Sequence, residues 1–260
     1  MKYLILCGLL MVMAQAASAV VRSEPLVYKA GDKELEGVLY FDDADTAPRR
    51  AVIVVHEWWG LNDYAKNRAE QLAKMGYVAF AIDMYGKGVP NAKDMEEASK
   101  RATELRAGDR KDMRARINAA LAALKARKEV DPKKIAAIGY CFGGTCALEL
   151  ARSGADIAGV VAFHAGLGTP NPDDAKNIKA KLLVCHGDDD PFVKPAEVNA
   201  FLDEMRKARA NYAFVAYSGA VHTFTNPKAG NDPSKGSAYN AQADRRSWEA
   251  MRDFFGEIFE

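Results

Sequence analysis

Cysteine is scarce in this chain of 260 residues, which holds only Cys7, Cys141, Cys146 and Cys185. Four thiols in a chain of this length cannot form the dense disulfide framework that holds small secreted domains together. Charge of one sign is missing too. Lys plus Arg is 36 against 35 for Asp plus Glu, so no net field draws the protein to nucleic acid or an anionic membrane. Histidine is equally sparse, and none of the four stands at H-x-x-x-H or Cys/His ligand spacing, which argues against a metal centre. All four (His56, His164, His186 and His222) do stand at or just past expected strand ends, where Asp188 or Asp190 could complete a ligand set. Beyond the first twenty residues, no apolar run is long enough to cross a bilayer.

The first twenty residues read differently from the rest. Met1-Lys2 opens the chain, a short apolar run follows, and Ala17-Ser18-Ala19 supplies small residues for a signal peptidase. The expectation is a secretory signal over residues 1–19, cleaved after Ala19, with an uncleaved anchor as the alternative. The mature chain, 20–260, is then periplasmic or secreted and forms a single domain with no internal repeat. Cleavage removes Cys7 and leaves an odd number of cysteines, so at least one thiol stays free. Cys146 is five residues from Cys141, a poor spacing for a bridge within one helix, and Cys185 lies in an apolar strand pattern.

Alternating and continuous apolar runs set out the fold. Residues 26–30 and 35–41 around Gly31-Asp32 read as an edge hairpin, and 51–55 as a buried parallel strand. Further strands are expected at 77–84, 135–138, 157–163, 181–185 and 212–217. Helices are expected after Tyr64, across 93–128, after Cys141, over 196–209 and at the C-terminus. Charged clusters such as 111–116 read as solvated helix faces. Strands alternating with helices imply an α/β fold, with a mostly parallel sheet covered on both faces. The loops 166–178 and 226–240 follow strand ends on the side where such sheets bind ligands, and gating is expected of at least one.

Chemistry concentrates at Gly139-Tyr140-Cys141-Phe142-Gly143-Gly144. This is a Gly-x-nucleophile-x-Gly elbow with cysteine at its apex, and the N–H of Phe142 is placed to receive an oxyanion. Asp190 and His222 follow in the order nucleophile, acid, histidine, which is that of α/β-hydrolases. A thiol needs a base, and the base needs a carboxylate to hold its tautomer. Of the neighbouring acids, Asp188 or Asp189 reads as a turn cap. Tyr85 and His164 are expected to line the pocket.

These motifs, with His56-Glu57-Trp58-Trp59-Gly60-Leu61-Asn62, Ile82-Asp83-Met84-Tyr85-Gly86, Asp190-Pro191-Phe192-Val193 and His222-Thr223-Phe224, resemble the dienelactone hydrolase (carboxymethylenebutenolidase) family of cysteine-dependent α/β-hydrolases. The resemblance runs over roughly residues 25–259. It implies a cofactor-free hydrolase of small carboxylic esters or lactones, a monomer or small homo-oligomer, acting through an acyl-enzyme on Cys141. By the same resemblance Glu57 contacts the resting thiol and moves when substrate binds, and the Trp58 N–H joins that of Phe142 in the oxyanion hole. The family's substrate-binding arginine beyond the histidine is absent, since this stretch is Thr225-Asn226-Pro227-Lys228. Lys87, Lys100 or Arg101 stand as substitutes. A thiol redox protein and a non-catalytic ligand-binding relic are the other readings of the same features.

Overall fold

The computed structural model describes residues 20–44 and 47–260, so the expected signal segment lies outside the described residues. Eight strands form one sheet in the order β1-β2-β4-β3-β5-β6-β7-β8. The antiparallel hairpin β1 (Val21–Ala30) and β2 (Lys33–Asp42) makes one edge. Gly31, at a φ of 58°, supplies the left-handed first position of its two-residue loop. The hairpin begins at Val21, earlier than the apolar pattern suggests, because half-exposed residues pair along the whole of β2.

β3 (Arg49–Val55), β4 (Val78–Ile82), β5 (Val130–Tyr140), β6 (Gly159–Phe163), β7 (Lys181–Gly187) and β8 (Tyr212–Tyr217) run parallel to one another. Only β2 meets this array antiparallel, against β4. Alternate residues of β3 face opposite cores. Ala51, Ile53 and Val55 join α2 (Met95–Arg106), α3 (Lys111–Lys125), α4 (Phe142–Arg152) and α5 (Pro195–Ala208) on one side. Val52 and Val54 join α1 (Asp63–Lys74) and α6 (Ala241–Ile258) on the other. Every β3 side chain from Ala51 onward is buried, which is why the strand reads as a continuous apolar run rather than an alternation.

One charged face departs from expectation. Within 111–116, Arg114 turns inward to the fully buried Glu149, with its Nη2 at 2.7 Å, and Arg116 donates to the Met84 carbonyl at 2.8 Å. The helix pattern alone could not distinguish these from solvated charges. Among the described residues, no helix is long and apolar enough to cross a membrane.

Candidate active site

The elbow forms where β5 passes into α4. Cys141 has φ 53° and ψ −117°, a conformation that costs a non-glycine residue on the order of 1–3 kcal/mol. Two features stabilise it. Gly139 and Gly143 let strand and helix touch, because a Cβ on Gly139 would strike the Gly143 carbonyl and one on Gly143 would strike the carbonyls of Val55 and His56. The Cys141 N–H is also held, at 3.0 Å from the Phe163 carbonyl and 3.1 Å from His164 Nδ1.

The thiol faces a hydrogen-bonded line. Cys141 Sγ lies 3.0 Å from His222 Nε2, and His222 Nδ1 lies 2.7 Å from Asp190 Oδ2. The two partners come from loops after neighbouring strands, Asp190 after β7 and His222 after β8. Asp190 is its own turn cap, since its Oδ1 accepts from the N–H groups of Phe192 (2.8 Å) and Val193 (3.3 Å). Asp188 and Asp189, expected as caps, are exposed. Burial raises the Asp190 pKa, but the hydrogen bond and charge of His222 outweigh it and leave the carboxyl below its ordinary value. Burial likewise opposes a charged His222, yet the adjacent Cys141 and Asp190 raise its pKa to about 10.

Glu57 stands two residues past the end of β3, almost fully buried at the cavity wall. It makes no hydrogen bond to Cys141 here, in contrast to the contact implied by the resemblance. Its Oε2 accepts from Asn226 Nδ2 at 2.8 Å, and its Oε1 is buried without a partner. Burial pushes its pKa up to about 7, against the lowering influence of Asn226, His222 and Arg68.

Trp58, Phe192 and His222 help line a cavity of about 1200 Å³ with Cys141 at its wall. The Phe192 ring, 61% exposed, packs edge-on to the His222 ring at 5.4 Å. Tyr85 and His164 are not on this wall but behind it. The Tyr85 hydroxyl donates to the Trp58 carbonyl at 2.7 Å and its ring stacks on Phe142, while His164 is fully buried beneath the elbow. Lys87, Lys100 and Arg101 also fall outside the lining. Arg101 instead holds the Pro90 carbonyl and Glu97.

The cations at the wall are Arg106, Arg110, Lys228 and Lys235, and Arg106 is the one whose guanidinium lies beside the elbow residue Phe142. Arg106 makes no hydrogen bond or ion pair with another described residue, and its guanidinium lies 5.4 Å from the centre of the Phe142 ring. Arg110 lines the cavity too, but is committed to Glu149 (3.1 Å) and the Gly168 carbonyl (2.7 Å). Residues 166–168 are fastened on both polar sides. Thr145, Arg152 and Arg110 hold the carbonyls of Gly166, Leu167 and Gly168, and Glu197 accepts the N–H groups of Leu167 and Gly168. Sequence reasoning missed Arg106, Thr225 and Asn226. The only available signal was that Thr225 and Asn226 stand three and four residues past His222.

All three described cysteines are free. Cys146 is buried inside α4 and Cys185 inside β7, and burial raises both thiols, that of Cys185 to about 12. Among the described residues, no group of three or more His, Cys, Asp or Glu side chains is arranged to hold a metal ion.

Comparison with known proteins agrees with this architecture. A solved structure called m3DLH is 42% identical, covers 92% of this chain and 99% of its own, and superposes with a TM-score of 0.88. A dienelactone hydrolase-like promiscuous phosphotriesterase, P91, from metagenomic libraries is 41% identical over the same shares, with a TM-score of 0.87. Protein usf of Aquifex pyrophilus is 31% identical over 79% of this chain and 87% of its own length. The model of the dienelactone hydrolase family matches residues 35–259. With its eight-stranded α/β-hydrolase sheet, the chain belongs to the dienelactone hydrolase family, a family of ester and lactone hydrolases.

Proposed function

We propose that this protein hydrolyses a small carboxylic ester or lactone through a thioester on Cys141. The observation that carries the reading is the line Sγ–Nε2 (3.0 Å) and Nδ1–Oδ2 (2.7 Å) at the wall of a large cavity. The Cys141 proton moves to His222, whose raised pKa favours the thiolate–imidazolium pair, and Sγ bonds to the carbonyl carbon while Asp190 stabilises the imidazolium. The first-turn N–H of Phe142, with that of Trp58, receives the carbonyl oxygen as it becomes negative. When the tetrahedral adduct collapses, the C–O bond breaks and His222 returns its proton to the leaving alkoxide. Water then gives a proton to His222 and adds to the thioester, and collapse expels the Cys141 thiolate with the free acid.

Arg106 supports an anionic group on the substrate, because an unpaired guanidinium at the cavity wall is the natural partner of a carboxylate. Glu57, poised near neutrality beside the site, is the group whose charge state would change as the thiolate forms. The leader-like first nineteen residues place this activity, in the same proposal, outside the cytoplasm.

The test is turnover of p-nitrophenyl acetate, a saturated lactone, a dienelactone and a neutral phosphotriester by wild type and Cys141→Ala. The expected result is hydrolysis of at least one carboxylic ester or lactone that is lost in the variant, with an acyl adduct mapped by mass to Cys141. Turnover that survives Cys141→Ala overturns the mechanism.

A further inference from the structure

Behind the elbow, on the side away from the cavity, His164 bridges the two halves of the site. Its Nδ1 accepts the backbone N–H of Cys141 at 3.1 Å, so Nδ1 carries the lone pair and Nε2 carries the proton. That Nε2–H points to Thr225 Oγ1 at 2.7 Å, and Thr225 stands on the same loop as His222. Thr225 is held further by the Tyr64 hydroxyl at 2.6 Å and, at its carbonyl, by Arg68 at 2.8 Å. Arg68 is itself paired with Asp244 of α6 at 2.5 Å. The rings of His164 and His222 meet edge to face at 5.4 Å.

His164 is not placed there by an ordinary backbone preference. Its φ of 39° is in the left-handed region, and its N–H is tied to the Cys185 carbonyl of β7 at 2.8 Å. A strained, fully buried, polar residue with both ring nitrogens bonded is costly to maintain unless its contacts do something.

We propose that His164 is a positioning residue that sets the distance between nucleophile and base, one ring nitrogen holding the Cys141 backbone and the other, through Thr225, holding the loop that carries His222. Asp190 holds the His222 ring at Nδ1, and the Gly236 carbonyl and Ala238 N–H hold its backbone at 3.1 Å each. Thr225 adds the tie that connects this loop, through His164, to the backbone of Cys141 itself. The arrangement requires a neutral imidazole. Burial lowers the pKa of His164 well below its ordinary value, and the charges of His222, Arg68 and His186 lower it further.

The inference rests on the roles proposed above for Cys141 and His222, and its test separates the two. In His164→Asn the side-chain oxygen takes the place of Nδ1 but cannot reach Thr225, and Thr225→Val removes the hydroxyl with little change of shape. Each is expected to lower kcat about tenfold with KM within about twofold, since sub-ångström misplacement of reacting groups acts on the chemical step. Both break the same link, so the double variant should be no worse than the poorer single, and Thr225→Ser should restore activity. The alkylation rate of Cys141 by iodoacetamide at neutral pH needs no substrate and should fall in parallel. Wild-type values of kcat and alkylation in the folded variants overturn the proposal, as do losses that multiply in the double variant or track only the fraction unfolded. Wild-type turnover that survives Cys141→Ala would instead indict the hydrolase mechanism, while the alkylation series still decides the positioning role.

Discussion

Two histidines flank Cys141, and their surroundings drive them in opposite directions. His222, in front, stands between the Cys141 sulfur and the Asp190 carboxylate, and its pKa is raised to about 10. His164, behind, is surrounded by a backbone N–H, a hydroxyl and cations, and its pKa falls well below the usual range. Loss of solvent opposes the charged form of both, fully for His164 and more weakly for His222 at the cavity wall, so burial alone does not decide the outcome. The difference teaches that the front of the elbow is built to separate charge and the back to exclude it. Proton transfer needs the first property, and a fixed nucleophile needs the second.

The largest expected effect comes from weakening the front. Asp190→Asn keeps the turn bonds but removes the charge that supports the His222 imidazolium, and kcat should fall by roughly three orders of magnitude. Pre-steady-state acylation of Cys141 measures it, and a loss below tenfold would mean that Asp190 only shapes the loop. Next is Arg106→Ala. It should lower kcat/KM for a carboxylate-bearing ester by roughly 10–100-fold while sparing its neutral methyl ester, as expected for loss of a charge-assisted pair. Equal losses for both esters would remove the anionic subsite.

Glu57 tests the boundary between the two environments. Its proton is held more tightly in the fold than in the unfolded chain, about 7 against 4.5. The stability this contributes is fully present below pH 4.5 and is lost as pH rises through 7. Glu57→Gln keeps an acceptor for Asn226 and cannot ionise. Above pH 7 it should therefore exceed wild type by on the order of 3 kcal/mol, with the difference vanishing below pH 4.5. Paired melting curves at pH 4 and 8.5 give the answer, and a pH-independent difference would show that Glu57 is already ionised in the fold. The smallest effect is a null one: of the three described cysteines, native iodoacetamide should label Cys141 alone, with Cys146 and Cys185 unmodified by peptide mass. Early labelling of either would contradict the sealed back of the site.

Legibility in the sequence divides along the same line. β3 and the strand entering the elbow were readable because a strand buried on both faces must be apolar at every position, and the elbow was readable because only glycines permit its close approach. Cys141, Asp190 and His222 could be named from short motifs and their order, and the structure brings them into hydrogen-bond contact. His164 reads from the sequence as a pocket residue, yet its ring lies behind the wall, since a residue at a strand end carries no local sign of which way its ring turns. The charges of α2 and α3 read as solvent-facing by periodicity, yet Arg106 lines the cavity and Arg114 meets Glu149.

By itself, then, the sequence determined the strand-helix alternation, the elbow and the residues proposed to react, all of which follow from short-range sterics and residue chemistry. Tertiary structure alone decided which neutral and charged groups surround them. His164 meets Thr225 across 61 residues and Glu57 meets Asn226 across 169, and no local pattern encodes such contacts. Because a titratable group responds to its neighbours and its burial, contacts made across the fold, and not residue type, drive the pKa of one histidine up and of the other down.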